Sequence, residues 1–549
     1  MRVSAVITAN ERQSGASKRI RRIVRVASWT LVAFVALAVF FCFLSAHAVP
    51  GNSDGATVVL EGQSMSTGHL MLQGWALSSD SFWTIDAVVY MFAVLVAGVH
   101  AIFLHLVPAF IASAVVLTGV HIVRADSRGT PGFTGAASVL ALLALPSHAL
   151  AFFFLQGPLH VGTALLCLLA FVGLGKGRFG WGWIAAVVLL AAGTVGDLQT
   201  IALGVVPALL AGAVASTRCR NWRTGLPTSA AAIASVVLAV IVREVAKAIG
   251  TFTLVSSASR QPISQMINNF GNLGSYLPKL LGVGTAGFGN GGAPHFTEYA
   301  HELGLLVVVG GVLVAVVGLL VGVVDGSDVA VGRPASWCLD DLLVFAFFGA
   351  LVVFLVLAQN ADTPSARYLT AAVIFGSILA GRLIARLMLG LLRSGPKVRR
   401  WGLKFGCIMA IAVVGILATG VAFNLANPTP FQRYSQVGAL LERHGLHEGI
   451  GDYWSSSIVT VETGGSVEVR PVTRDPDGRL VRYVRESTSD WYAGKQFTFL
   501  VYNTLYPFGA VDTATAVATF GRPTWHYRVD HIEVLVWRHP FTLSVHGIS

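Results

Sequence analysis

The sequence predicts a polytopic α-helical membrane protein of about eleven transmembrane helices, followed by a small C-terminal α/β extracytoplasmic domain. Three observations carry that prediction. Hydrophobic residues make up 54% of the 549 residues and charged residues only 12%, about half the charge density of a soluble globular chain; the mean hydropathy is +0.69. Apolar runs of roughly 20 residues, long enough to cross a bilayer as helices, recur along most of the chain. After Asn427-Pro428-Thr429-Pro430 the pattern changes to the short alternating segments of a water-facing domain. A soluble enzyme, a fibre and a disordered chain are excluded.

The net charge of +11 raises the question of where the cations lie. Arg12, Lys18, Arg19, Arg21, Arg22 and Arg25 precede the first apolar run. Lys176 and Arg178, then Arg218, Arg220 and Arg223, then Arg393, Lys397, Arg399, Arg400 and Lys404 fall in short loops between runs. Such clusters are cytoplasmic anchors under the positive-inside rule, not a nucleic-acid face. They predict a multi-pass plasma-membrane protein with its N-terminus, residues 1–27, in the cytoplasm. Cys42, Cys167, Cys219, Cys338 and Cys407 all avoid the outer segments, so neither a disulfide framework nor a Cys-based zinc site is indicated.

The first span is 28–48. Ala46-His47-Ala48 resembles a signal-peptidase site, but the long basic segment before it and the many later spans favour a retained helix. Residues 49–84 are polar, carry Asp54, Glu61 and Asp80, and contain no Lys or Arg; they belong outside. The stretch 87–123 is too long for one span and barely long enough for two. Because Arg124 and Arg128 belong inside, the stretch makes one net crossing: 85–102 is a surface helix and 104–123 the second span. Further spans fall near 133–154, 159–175, 181–197, 198–216, 228–247, 303–324, 339–358, 367–390 and 404–424. The membrane domain is thus 28–424, with long outer loops at 49–103 and 248–302. Residues 425–549 form the outer domain. There, Tyr434, Val437, Leu440 and Leu441 have helical spacing with a stop at Gly445. Strands are expected at Ser457–Val461, Val467–Val472, Phe497–Tyr502, Trp525–Val529 and Ile532–Trp537, with Asp512 capping a short helix that ends at Gly521.

Two readings stand at most candidate positions. Asp54, six residues after the first span, is either a helix cap with Ser53 or a general base for an acceptor hydroxyl at the membrane surface. Arg243 and Lys247 lie one turn apart at the outer end of a span. They are either a clamp for a lipid phosphate or, with Glu244, a local ion pair. The run Gly284–Gly292 lacks the strand, lysine and helix of a phosphate loop; a lid is the alternative. His295, Glu298, His301 and Glu302 are read as a loop rim rather than a metal site. Gly451-Asp452-Tyr453-Trp454 and Trp491-Tyr492 suit sugar stacking or a small core.

Asn52-Ser53-Asp54-Gly55-Ala56, a surface helix with Gly62 and Gly68, and Ser81-Phe82-Trp83-Thr84-Ile85-Asp86 together resemble the first outer loop of GT-C glycosyltransferases. The likeness is to the protein O-mannosyltransferase and aminoarabinose-transferase group. In that group an Asp, usually followed by Glu, opens the loop, and a second surface helix ends in a glycine such as Gly98. Here Gly55 replaces the Glu, and the Pro-Pro element near Asp86 is missing. The resemblance implies an inverting transferase that takes a sugar from a polyprenyl-phosphate donor and passes it to an envelope acceptor. It assigns Asp54 as base and Asp197, between two spans, as a second acidic group, with Asp86 and His160 orienting the substrates. Arg243, Lys247 and Arg367, the last followed by Tyr368 in an Arg-Tyr step, would hold the leaving phosphate. The resemblance makes no cofactor certain and leaves a divalent metal open. Two rivals remain: a transporter, disfavoured by spans nearly free of charge at mid-depth, and a non-catalytic glycan-binding assembly protein.

Overall fold

The computed structural model describes residues 2–256, 260–284, 294–324, 336–358, 363–428, 433–505 and 507–543. After Gly284 the glycine-rich run lies outside the described residues. Helix α1 (Arg2–Ala48) contains the first apolar stretch, Val24–Ala48. The first outer loop then folds into α2 (Ser53–Ser66), β1 (Trp75–Ser78) and α3 (Asp86–Ala97), which stops at Gly98. Helix α4 (Phe103–Asp126) is long and apolar enough to cross a membrane.

The span expected at 133–154 is broken. Helices α5 (Gly129–Ala144) and α6 (His148–Leu155) meet at 85°. Pro146 cannot continue α5, and Ser147 starts α6, its hydroxyl accepting from Leu150 N at 3.0 Å and donating to Leu280 O at 2.7 Å. Helices α7 (Val161–Leu174) and α8 (Trp181–Gly196) follow. A π turn, Ile201–Val205, leads into α9 (Val206–Arg218), and α10 (Trp222–Ile249) returns to the outer-loop end. After β2 (Thr253–Ser256) and the amphipathic α11 (Ile263–Leu280) come α12 (Phe296–Val324), α13 (Ser336–Leu357), a 3₁₀ segment Thr363–Leu369, α14 (Thr370–Arg393) and α15 (Pro396–Ala426).

Among the described residues eight helices are long and apolar enough to cross a membrane, nine if the bent pair counts as one. The expectation of eleven exceeds this because α7 and α8, at 14 and 16 residues, reach only about 21–24 Å, short of a hydrocarbon core of about 30 Å. The protein is a multi-pass membrane protein. We call the end carrying the first outer loop the acidic end and the opposite end, with the short cationic loops, the basic end.

The C-terminal region comprises α16 (Tyr434–Arg443), β3 (Glu448–Gly451), α17 (Tyr453–Glu462), β4 (Glu468–Arg474), β5 (Leu480–Arg482), β6 (Ser487–Thr488), β7 (Phe497–Asn503), α18 (Thr513–Phe520), β8 (Trp525–Val529) and β9 (Ile532–Phe541). Six strands form one mixed sheet in the order β5-β4-β3-β7-β9-β8. The strand expected at Ser457–Val461 is instead the core of α17. Asp452 caps it, accepting from Ser455 N at 3.1 Å, and a cap outweighs the weak β preference of Ile458, Val459 and Val461.

The domain is joined to the acidic end at two places. Helix α17 packs on α2, where Thr57 Oγ1 donates to Ser457 Oγ at 2.9 Å. A second, three-stranded sheet, β2-β1-β6, pairs β1 of the first outer loop parallel to β2 and antiparallel to β6. Three segments distant in sequence are thereby knitted together, with Trp75 packed edge-on against Trp491 at 5.0 Å.

Candidate active site at the acidic end

Asp54 is not the cap of α2. That role belongs to Asn52, whose Oδ1 accepts from Gly55 N at 2.9 Å. The Asp54 carboxylate is free for other work, and one oxygen accepts from the Tyr453 hydroxyl at 2.5 Å. Burial pushes its pKa above the ordinary carboxylate value, against the Tyr453 hydrogen bond and the Arg367 charge. The glycine after it has a steric cause: a Cβ on Gly55 would come within 3.0 Å of the Gly157 carbonyl and 3.4 Å of Leu104. The α2–loop contact leaves no room there for a glutamate without a shift of the backbone.

A second group forms around His160, where the chain turns into α7. This residue has φ 63°, a left-handed conformation costing about 1–2 kcal/mol for a residue with a Cβ. The surroundings hold it there. Its Nδ1–H donates to Asp197 Oδ2 at 2.8 Å, and Gln199 Nε2 donates to its Nε2 at 2.8 Å. Its ring lies between Phe82 at 5.4 Å and Tyr368, stacked at 5.6 Å. Asp197 is fully buried and also accepts from Thr163 Oγ1 at 2.5 Å and Gln199 N at 2.9 Å. Burial opposes its charge, but His160 and these donors prevail and hold its pKa below the ordinary value. With its oxygens so occupied, Asp197 fixes the tautomer and tilt of His160.

Asp86, at the start of α3, has one carboxyl oxygen with no hydrogen-bond partner. It presses on α7 where residue 162 is glycine; a Cβ there would lie 2.7 Å from Asp86 Oδ2. Burial, then the Asp197 charge, push its pKa to about 7, with His160 opposing. Asp80, on sequence grounds one of the acidic residues of the polar outer stretch, is half-buried beside the same group. Its pKa is raised by burial and Asp197 and lowered by His160 and Arg367. Arg367 donates to its neighbour Tyr368 at 3.1 Å, while its buried Nε has no partner. Arg367 also interacts electrostatically with both Asp54 and Asp80. Asp54, Asp80, Asp86, His160, Asp197, Arg367 and Tyr368 therefore converge.

Arg243 and Lys247 lie apart from these residues. They line a separate cavity of about 350 Å³ with Trp83, Val195, Phe252 and Leu254, and Lys247 is ion-paired with Glu244 at 2.6 Å. Since Trp83 and Val195 adjoin Phe82 and Gly196, whose backbones are bonded at 2.8 Å, this cavity borders the His160 group. Of the outer-rim residues, Glu298 accepts from Gly284 N at 2.7 Å. Among the described residues one trio offers ligand atoms close enough for a metal: Asp80, His160 and Asp197, within 4.8 Å of one another. Two carboxylates and an imidazole suit a divalent ion, and the orphan oxygen of Asp86 adds a donor nearby.

Sequence reasoning missed Asp80, Thr163 and Gln199 as site residues and offered Tyr453 for sugar stacking or a small core, not for a contact with Asp54. Gln199 and Thr163 had a signal of sorts, each lying within three residues of a candidate. Tyr453 had none that located it.

The fold of this chain is similar to that of the solved ArnT structures. Similar structures include ArnT from Cupriavidus metallidurans bound to undecaprenyl phosphate, with 14% identity, TM-score 0.50 and coverage of 95% of this chain and 99% of that one. The apo form of that protein gives 13% identity, TM-score 0.50 and coverage of 95% and 100%. The Archaeoglobus fulgidus oligosaccharyltransferase tethered to an acceptor peptide gives 11%, TM-score 0.46, and 87% and 69%. No protein-family model and no curated protein matches the sequence.

Proposed function

We propose that the protein is an integral membrane glycosyltransferase that moves a sugar from a polyprenyl-phosphate donor to a hydroxyl of an envelope acceptor. In this reading the basic end is cytoplasmic, and the acidic end and C-terminal domain face outward. The observation that carries it is the freed Asp54. It is relieved of capping by Asn52 and held in the reach of Arg367 at the membrane surface of a GT-C fold. ArnT, which shares the fold, binds undecaprenyl phosphate, and an outward site has no nucleotide sugar at hand.

Asp54 would take the proton of the acceptor hydroxyl as its oxygen bonds to the anomeric carbon. The bond from that carbon to the phosphate oxygen breaks on the opposite face, inverting the configuration. The electron pair leaves with polyprenyl phosphate. Arg367, through its unpartnered Nε, would receive the charge that develops on the phosphate, and Arg243 and Lys247 would hold the phosphate's approach from the lipid. Asp86, His160 and Tyr368 would shape the sugar pocket. A divalent ion, if held by Asp80, His160 and Asp197, would supply further charge neutralisation.

The test is transfer by purified protein in lipid, offered radiolabelled polyprenyl-phosphate sugars and an envelope extract, beside Asp54→Asn. Transfer abolished with donor binding retained is the expected result. Equal transfer by Asp54→Asn would remove Asp54 as base, and an absence of transfer from every donor would sink the transferase reading.

A further inference from the structure

The C-terminal domain reaches into the site at one atom. Tyr453 is the first residue of α17, directly after the cap Asp452, and its side chain is 5% exposed. Its hydroxyl donates to Asp54 Oδ1 across 399 residues of sequence. Two sets of contacts fix its position. Asp452 is completely buried and accepts from Ser455 N, Ser455 Oγ and Asn503 N at 3.1, 2.8 and 2.8 Å, anchoring the start of α17 to β7. The Tyr453 ring packs against Trp454, Tyr483 and Phe508 at 5.0, 5.3 and 5.6 Å. A side chain so braced does not follow its partner; it sets where its partner sits.

We propose that Tyr453 is a positioning residue for Asp54: the docked domain holds one carboxylate oxygen and turns the other toward the acceptor hydroxyl. The inference rests on the transferase reading of Asp54 given above. It gives the outer domain a part in the chemical step, where the sequence suggested sugar stacking or a small core. The site is then complete only when α17 is seated on α2, so the transferase works with its outer domain docked.

The charged and titratable groups facing Asp54 define what removing the hydroxyl does. Tyr453 comes from α17, Arg367 from the 3₁₀ segment before α14, Tyr483 and Glu486 from the stretch between β5 and β6. Arg485 acts on Tyr483 and Glu486 in turn. Burial disfavours a charged Asp54; the Tyr453 hydrogen bond and the Arg367 charge favour it. A hydrogen bond to the ionised carboxylate lowers its pKa, so its loss in Tyr453→Phe moves the titration up, by about one pH unit.

Two measurements on the full-length protein in lipid test this. The infrared band of the protonated Asp54 carboxyl, identified by its absence in Asp54→Asn, is titrated in wild type and in Tyr453→Phe. The pH profile of sugar transfer is recorded for the same two proteins. The expected result is that both the titration and the acid limb move upward in Tyr453→Phe, and that much of the lost rate returns at high pH. An unmoved Asp54 titration, or a uniform loss of rate with no shift of the acid limb, overturns the proposal and leaves Tyr453 a docking contact. If wild type transfers no sugar, the transferase reading falls, and the infrared titration still decides the contact.

Discussion

Buried charge is handled in opposite ways at the two ends of the helix bundle. At the basic end acids are matched by arginines. Asp341 takes both nitrogens of Arg218, at 2.6 and 3.0 Å. Asp340 pairs with Arg382 and Arg386, and Arg382 also reaches Asp126 at 2.7 Å. At the acidic end carboxylates outnumber the cations near them. Asp54, Asp80, Asp86, Glu61 and Glu486 gather there, Glu61 and Asp86 each keep an unpartnered oxygen, and Arg367 is the cation that acts on Asp54 and Asp80. Paired charges lock helix ends together. Unpaired acids are costly to bury and stay only where something else holds them. The difference separates the residues that hold this fold from those that the proposed reaction would use.

The comparison breaks most sharply if a substitution at one end has the other end's effect. Asp54→Asn has the largest expected consequence: transfer falls by about 10²–10⁴-fold, as for loss of a general base, while the thermal midpoint is unchanged. Arg218→Met does the reverse. It strands Asp341 and lowers stability by about 3–5 kcal/mol, with activity per folded molecule retained. The double variant Arg218→Met/Asp341→Leu recovers much of that loss, because the isolated charge is gone. Thermal unfolding in detergent reads all three. A loss of activity without destabilisation in Arg218→Met would erase the division between the two ends.

A smaller effect follows from proton uptake at the acidic end. Burial raises the pKa of both Asp86 and Glu486 to about 7, from an ordinary carboxylate value of about 4. Between those values the folded protein holds protons that the unfolded chain has lost. Stability contributed by these groups is therefore complete below about pH 4 and declines as pH rises toward about 7. The melting temperature should fall from pH 5 to pH 7.5, and the slope should flatten in Asp86→Asn/Glu486→Gln. A slope untouched by that double change would show that these acids are not the protonated ones.

Much of the plan was legible in the sequence because hydropathy and loop charge are properties of local segments. Parity alone placed the surface helix that became α3, and Asp54, Asp86, His160, Asp197, Arg367 and Tyr368 meet although up to 314 residues separate them. What escaped were features decided by tertiary partners. Ser457–Val461 reads as a strand from its branched residues and becomes a helix through Asp452 and its seat on α2. Strand β1 is four residues long and exists through pairing with β2 and β6. The Asp54–Tyr453 bond has no local signature at either residue. The expected scarcity of charge inside the spans also missed Arg382 in α14, which is 4% exposed and neutralised by acids from α4 and α13.

The mildest prediction concerns the cavity of Arg243 and Lys247, which lies between these two regimes. Lys247 and Glu244 are paired but highly exposed, at 65% and 63%, and exposed pairs of this kind contribute little to stability. Glu244→Ala should therefore leave both the melting temperature and the maximal rate unchanged. A cationic cavity wall that meets the donor phosphate before reaction binds ground and transition states alike, so its loss raises KM and spares kcat. Lys247→Ala should raise the KM for the polyprenyl-phosphate donor a few-fold, and Arg243→Ala more, because a guanidinium holds phosphate through two parallel bonds. Steady-state kinetics with varied donor in mixed micelles separates the outcomes. An unchanged KM in both variants would return the two cations to the local ion-pair reading with Glu244 and leave Arg367 as the phosphate contact. A fall in kcat instead would move Arg243 into the reacting group around His160, and the acidic end would hold a second working cation.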